Sequence, residues 1–159
     1  MKKIGVISDT HGKLRAGVIE HLTGCDLILH GGDINKQMIL DQLAEIAPLH
    51  VVRGNNDKEW AQHLPKELYL QVEELRIYMV HNKAHIPKNL CDVDLIVFGH
   101  SHKYLEKEEN GIFYLNPGSC GPRRFDQEIT IAMLTIDGKE FSIEKILIDH
   151  EEKVSRRKK

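Results

Sequence analysis

The chain has 159 residues, 41% of them apolar and 29% charged, with a formal charge of −2. A length of this order suits one globular domain that buries its own core without disulfide staples. The charge balance excludes a global basic field for nucleic acid, and no apolar run approaches the roughly 20 residues of a membrane span.

Ile4 to Ile7 is a short apolar run that predicts a buried strand. Lys13 to Leu22 carries Leu14, Val18 and Leu22 at helical spacing and stops at Gly24. Leu27 to Leu29 predicts a second strand. Gln37 to Ile46, with Ile39, Leu40, Leu43 and Ile46 on one face, predicts a helix ended near Pro48, and Leu49 to Val52 a third strand. The first half therefore predicts βαβαβ, which right-handed crossovers make a parallel sheet. Further on, Glu67 to Glu74 alternates apolar and polar residues before Arg76 to Val80, which predicts a hairpin. Leu95 to Phe98 predicts another buried strand. Two more hairpins are expected, from Tyr104 to Leu115 around Asn110-Gly111 and from Ile129 to Ile148 around Asp137-Gly138. The pattern predicts an α/β chain with an antiparallel second half. It forms one domain over residues 1–150 and a basic tail over 151–159.

Cys25, Cys91 and Cys120 lie far apart with no Cys-x-x-Cys pair, which suits a reducing cytoplasm. The two lysines and short apolar run at the N-terminus lead straight to Asp9, so no signal peptide is expected. The ten histidines stand out, because they gather with aspartates behind strands. Five expected strands run into Asp9-Thr10-His11, His30-Gly-Gly-Asp33, Arg53-Gly-Asn55-Asn56-Asp57, His81-Asn82 and Gly99-His100-Ser-His102. In open sheets the carboxyl ends of strands form the ligand crevice, so these groups converge without being near in sequence. In an extended segment, residues i and i+2 face one way, which would pair Asp9 with His11 and His100 with His102. Carboxylate, imidazole and amide together suit manganese, iron or zinc better than calcium. Seven candidates exceed what one ion takes, and two ions sharing a carboxylate, about 3.5–4 Å apart, fit better. Taken singly, each motif has a plainer explanation. Asp33 could cap the next helix, Asn55-Asn56-Asp57 could be a turn, and His81 could be a strand-end histidine. Five coincident strand ends favour the metal centre.

Asp9-x-His11, Gly32-Asp33, Gly54-Asn55-x-Asp57, His81 and Gly99-His100-x-His102 together resemble the calcineurin-like metallophosphoesterase superfamily. The short chain and Asn116-Pro-Gly-Ser119 are similar to its small bacterial and archaeal phosphodiesterase branch. The resemblance implies a β-sandwich of mixed sheets flanked by helices, four layers in the order αββα, with a dimetal centre at one edge. It implies that Asp9, His11 and His102 hold one ion, that Asn55, His81 and His100 hold the other, and that Asp33 bridges them. The ions would be two divalent metals, manganese foremost, with iron, zinc or nickel as alternatives. Two positions depart from the family pattern, Asn56 where histidine is usual and Asn82 where glycine is usual.

The function so implied is hydrolysis of a phosphodiester by a metal-bridging hydroxide. Asn55 would stabilise charge on the phosphoryl group, and Asp57 is grouped with it at the catalytic centre as support for a neighbouring loop or ligand. Arg53, Lys103, Arg123 and Arg124 are candidates for gripping a small-molecule phosphoester. The same branch includes a retromer scaffold subunit, so a metal-binding protein–protein scaffold is the alternative. Nucleic acid and membrane partners are not expected. Oligomeric state is left open, a homo-oligomer included.

Overall fold

The structure, a computed structural model, describes residues 1–122 and 127–149. Arg123, Arg124 and the basic tail lie outside the described residues. In chain order the first elements are β1 (Lys2–Ile7), α1 (Ala16–Leu22), β2 (Leu27–His30), α2 (Gln37–Ile46), β3 (Leu49–Val51), β4 (Glu67–Val72) and β5 (Leu75–Val80). Then follow β6 (Leu95–Val97), β7 (Leu105–Glu109), β8 (Ile112–Asn116), β9 (Thr130–Asp137) and β10 (Glu140–Leu147). Short 3₁₀ turns cover Glu59–Ala61 and Lys83–His85.

Two five-stranded mixed sheets face each other, in the orders β10-β9-β1-β2-β3 and β4-β5-β6-β8-β7. The strands alternate as a buried pleat should. Ile4 and Val6 of β1 pack between the sheets against Ile77, Met79, Leu95 and Val97. Ile7 turns to the outer side and joins Val18, Leu22, Ile39 and Leu43 of the two helices. Gly5 also faces the helices, and a Cβ there would strike Leu22, so the missing side chain lets α1 lie close to β1. On the far side of the second sheet, Tyr78, Val80, Ile96 and Phe98 are covered by Ile86, Leu90 and Val93. That outer layer is loop and the 3₁₀ turn at Lys83–His85, not α-helix.

The parallel β1-β2-β3 unit is present as expected. Two expectations change. The second half is not simply antiparallel, because β5, β6 and β8 run parallel. Residues 81–94 and 98–111 are long enough to return the chain to the same end. The last hairpin joins the first sheet, where β9 pairs antiparallel with β1. Helix α1 also starts later than its apolar spacing suggests. A turn closed by the Lys13 N–H on the Thr10 carbonyl, with Gly12 at φ +80°, occupies the residues before it.

Candidate metal centre

The carboxyl ends of β1, β2, β3, β5 and β6 lie together at one rim of the sandwich. There Asp9, His11 and His102 offer ligand atoms within 4.8 Å of one another, and so do Asp9, Asp33 and His81. His11 Nε2 and His102 Nε2 are 3.2 Å apart, and Asp9 Oδ1 lies 3.4 Å from His102 Nε2 and 3.7 Å from His11 Nε2. Asp33 Oδ2 sits 3.2 Å from His81 Nε2 and 3.8 Å from His11 Nε2. Donors held 2.0–2.2 Å from one ion stand roughly 3–3.5 Å from each other, so these spacings suit shared coordination. His100 approaches from the open side, its Nδ1 3.3 Å from Asn55 Oδ1 and its ring 5.2 Å from that of His81.

The pairing of Asp9 with His11 and of His100 with His102 does not come from extended backbone. Asp9, His11, Asp33, His100 and His102 all have positive φ, between 46° and 76°. Left-handed turns aim these side chains, at a cost of order 1–3 kcal/mol per residue that the surrounding structure must offset. The backbone is held there by hydrogen bonds between loops: Asp9 N–H to Gly32 O at 2.9 Å, His11 N–H to Asp33 O at 3.0 Å and Gly12 N–H to Ile34 O at 2.8 Å.

The donor set fits a divalent cation better than it fits itself. Among the described residues, the buried side-chain nitrogen and oxygen atoms with no hydrogen-bond partner are Asp9 Oδ1 and His81 Nε2. Such atoms are costly unless something else satisfies them. Asp9 Oδ2, by contrast, accepts from the Ser8 hydroxyl at 2.7 Å and the His100 amide at 3.2 Å, which leaves Oδ1 facing the site. His81 Nδ1 lies 2.7 Å from the Gly31 carbonyl, so Nδ1 carries the proton and Nε2 presents a lone pair.

Residues 1–139 match the calcineurin-like phosphoesterase superfamily domain. The chain belongs to that superfamily. It is 31% identical over 156 residues to a probable metallophosphoesterase of Methanothermobacter thermautotrophicus, covering 89% of this chain and 90% of that one. It is 26% identical to a phosphodiesterase of Methanocaldococcus jannaschii, covering 74% and 84%. A crystal structure of Vps29 from Chaetomium thermophilum superposes with a TM-score of 0.77 at 20% identity, covering 93% of this chain and 98% of that one, a likeness of fold. The superfamily works with divalent metals, and the two clusters are the candidate ligand groups for them here.

In this member of the superfamily, burial opposes the charge on Asp9. The rings of His102, His11 and His81 and the Ser8 hydroxyl nevertheless hold its carboxyl far below the usual range. Burial also opposes Asp33, and His81 and the Asn56 amide prevail to lower it. For His81, burial is outweighed by Asp33 and Asp9, and its pKa rises. Without metal, the two carboxylates thus favour a proton on His81.

Asp57 stands beneath the ligands rather than among them. Its Oδ1 accepts from the Ile34 and Asn35 amides and its Oδ2 from the Asp33 and Gly54 amides, all at 2.8–2.9 Å. It acts through the loop that carries Asp33. Arg53 donates from Nε to the Asp57 carbonyl at 3.1 Å and lines a cavity beside Asn55 and His81. Lys103 lies elsewhere, in a small depression beside His102 and Tyr104. His30 has a positioning role that strand reading alone does not assign. Fully buried, its Nδ1 accepts from the Gly32 amide at 3.0 Å, and Nε2–H reaches the Thr10 hydroxyl at 3.1 Å. The signal was a histidine closing an otherwise apolar buried strand.

Proposed function

We propose that this chain is a dimetal phosphodiesterase that hydrolyses one ester bond of a small phosphodiester. In this reading Asp9, His11 and His102 hold one ion, Asn55, His81 and His100 the other, and Asp33 lies between them. The observation that carries it is the pair of buried ligand atoms without partners, Asp9 Oδ1 and His81 Nε2, amid carboxylates and imidazoles. Asp33 Oδ2, near histidines of both sets, supports its place as the bridge. Manganese is the proposed ion, with iron, zinc or nickel as alternatives, because the donors mix oxygen and nitrogen. Such ions supply Lewis acidity, acidifying water and offsetting charge on the phosphoryl oxygens.

The chain's own groups do the rest. The Gly31 carbonyl fixes the His81 ring, and Asp57 holds the backbone on which Asp33 turns. With Asn55 Oδ1 turned toward His100, the Asn55 NH₂ can donate to a phosphoryl oxygen. Arg53 and Lys103 flank the two sets and are proposed to hold substrate. Preference for diesters is supported by the named activity of the Methanocaldococcus jannaschii relative. Three free cysteines, two of them buried, suit a cytoplasmic location. The fold likeness to Vps29 keeps a scaffold role as the competing reading.

The test joins elemental analysis of manganese-saturated protein to turnover of bis(4-nitrophenyl) phosphate, for wild type and Asp33→Asn. Two ions per chain and turnover are expected for wild type. The variant is expected to lose at least one ion and most of the activity while keeping its fold. Two bound ions without turnover would favour the scaffold, and at most one ion would overturn the dimetal site.

A further inference from the structure

Beside Asn55 and His81, on the outer edge of the second sheet, lies a cavity of about 520 Å³ that the ligand sets do not fill. Its walls are unlike the metal site. Val80 and Tyr78 give it an apolar base, and Arg53, Lys66 and His85 bring nitrogen donors to it. Tertiary contacts place the two permanent cations. The Arg53 N–H donates to the Pro65 carbonyl at 2.7 Å, so the chain returning from the 3₁₀ turn sets Lys66 next to Arg53. Arg53 Nε is tied to the Asp57 carbonyl at 3.1 Å, which holds the guanidinium at the cavity wall.

Two acids, Asp57 and Glu67, also line the cavity and keep their charge, but each is turned to other donors. Asp57 spends both oxygens on four backbone amides. Glu67 accepts the Tyr78 hydroxyl at 2.7 Å. Burial and that neighbouring carboxylate push the Tyr78 hydroxyl's pKa up, so it stays a neutral donor on Glu67. Neither Arg53 nor Lys66 is within ion-pair distance of a carboxylate among the described residues. Two cations with no ion-pair partner among the described residues, in a recess opening onto the proposed phosphoester site, leave donors there for an anionic group.

We propose that this cavity receives the organic group esterified to the substrate phosphorus, and that Arg53 and Lys66 select a group bearing its own anionic charge, a carboxylate or a second phosphate. The inference rests on the phosphodiesterase reading above and narrows its substrate class. An arginine held by its Nε keeps its outer N–H groups for a planar or tetrahedral anion, whereas Lys66 contributes an adjustable point charge. The apolar base would carry the methylene or ring portion between the phosphorus and that charge.

The experiment uses three non-hydrolysable phosphonates, each with four carbons: butylphosphonate, 4-aminobutylphosphonate and 4-phosphonobutyrate. Their binding to manganese-loaded protein is measured by calorimetry for wild type, Lys66→Gln and Arg53→Gln. The carboxylate-tailed ligand should bind about tenfold more tightly than butylphosphonate, and the amine-tailed one more weakly than both. Each substitution should shrink the tenfold ratio to about threefold or less. Equal affinities in wild type, or a ratio that both variants preserve, would overturn the inference while leaving the phosphodiesterase reading intact. Protein that takes up no metal and binds none of the three would overturn both.

Discussion

Asn56 reaches the centre through Asp33. Its backbone N–H donates to Asp33 Oδ1 at 2.8 Å, and its side-chain amide to Oδ2 at 3.3 Å. The residue therefore orients a carboxylate of the proposed dimetal site and helps keep it ionised. It cannot do what a histidine at this place could, because an amide donates a hydrogen bond but transfers no proton near neutral pH. General acid catalysis is worth about 10²–10⁴-fold. Without it, departure of the ester oxygen should depend on that oxygen's own stability. For aryl phosphodiesters of graded phenol pKa, the wild-type rate is expected to fall steeply as the pKa rises. Asn56→His is expected to flatten the dependence. A shallow slope in wild type, measured with chemistry limiting, would exclude this and direct attention to His85, which lines the adjoining cavity.

At the scale of elements, Asp57 is the knot between the ends of β2 and β3. Its four amide donors come from the Asp33–Asn35 loop and from Gly54, with which it forms a single hydrogen-bonded corner. Gly54 is small for the same reason: a Cβ there would run into Asp33. Asp57→Asn replaces one oxygen by an NH₂ group and leaves two buried amide N–H groups facing another donor. Each such loss costs about 1–3 kcal/mol. Urea unfolding of the metal-free variant should therefore show a destabilisation of about 2–6 kcal/mol. A change under about 0.5 kcal/mol, within the range of ordinary surface substitutions, would show that the corner is held by something else. Much of this arrangement was legible beforehand. Apolar runs such as Leu27 to Leu29 and Leu95 to Phe98 marked the buried strands, and the ligand types behind them are the ones gathered at the candidate site. Two features were not. The left-handed turns at Asp9, His11 and Asp33 are enforced by hydrogen bonds between loops distant in sequence, which no local propensity encodes. The choice of β1 as partner for β9 is equally non-local, because an alternating hairpin fits the edge of either sheet.

For the whole molecule, two hydrophobic layers, one between the sheets and one under the helices, are built from residues that do not coordinate. The metal-free chain should therefore fold, and its stability should follow the protonation of the histidines it buries. His30 and His81 act in opposite directions. Burial pushes His30 from 6.5 down to about 4, so the folded state refuses a proton that the unfolded chain accepts. Its contribution is whole above pH 6.5 and is lost as pH falls toward 4, in total about 3 kcal/mol. His81 is raised by Asp33 and Asp9, so its contribution is whole below 6.5 and is lost as pH rises through its folded value. Asp9 and Asp33, both lowered, contribute above their unfolded value near 3.8 and lose that contribution only in stronger acid. Metal-free protein should thus be most stable near neutrality. A bound metal, by displacing the His81 proton and binding the folded state alone, should remove the alkaline decline. The acid limb can be assigned to one residue. His30→Gln keeps an acceptor for the Gly32 amide and a donor for the Thr10 hydroxyl but has nothing to titrate. Urea midpoints of metal-free wild type and His30→Gln, measured from pH 7 to pH 4, should converge as acid is added, because wild type alone loses the His30 contribution. Parallel profiles across that window would mean that another group carries the acid sensitivity of the fold.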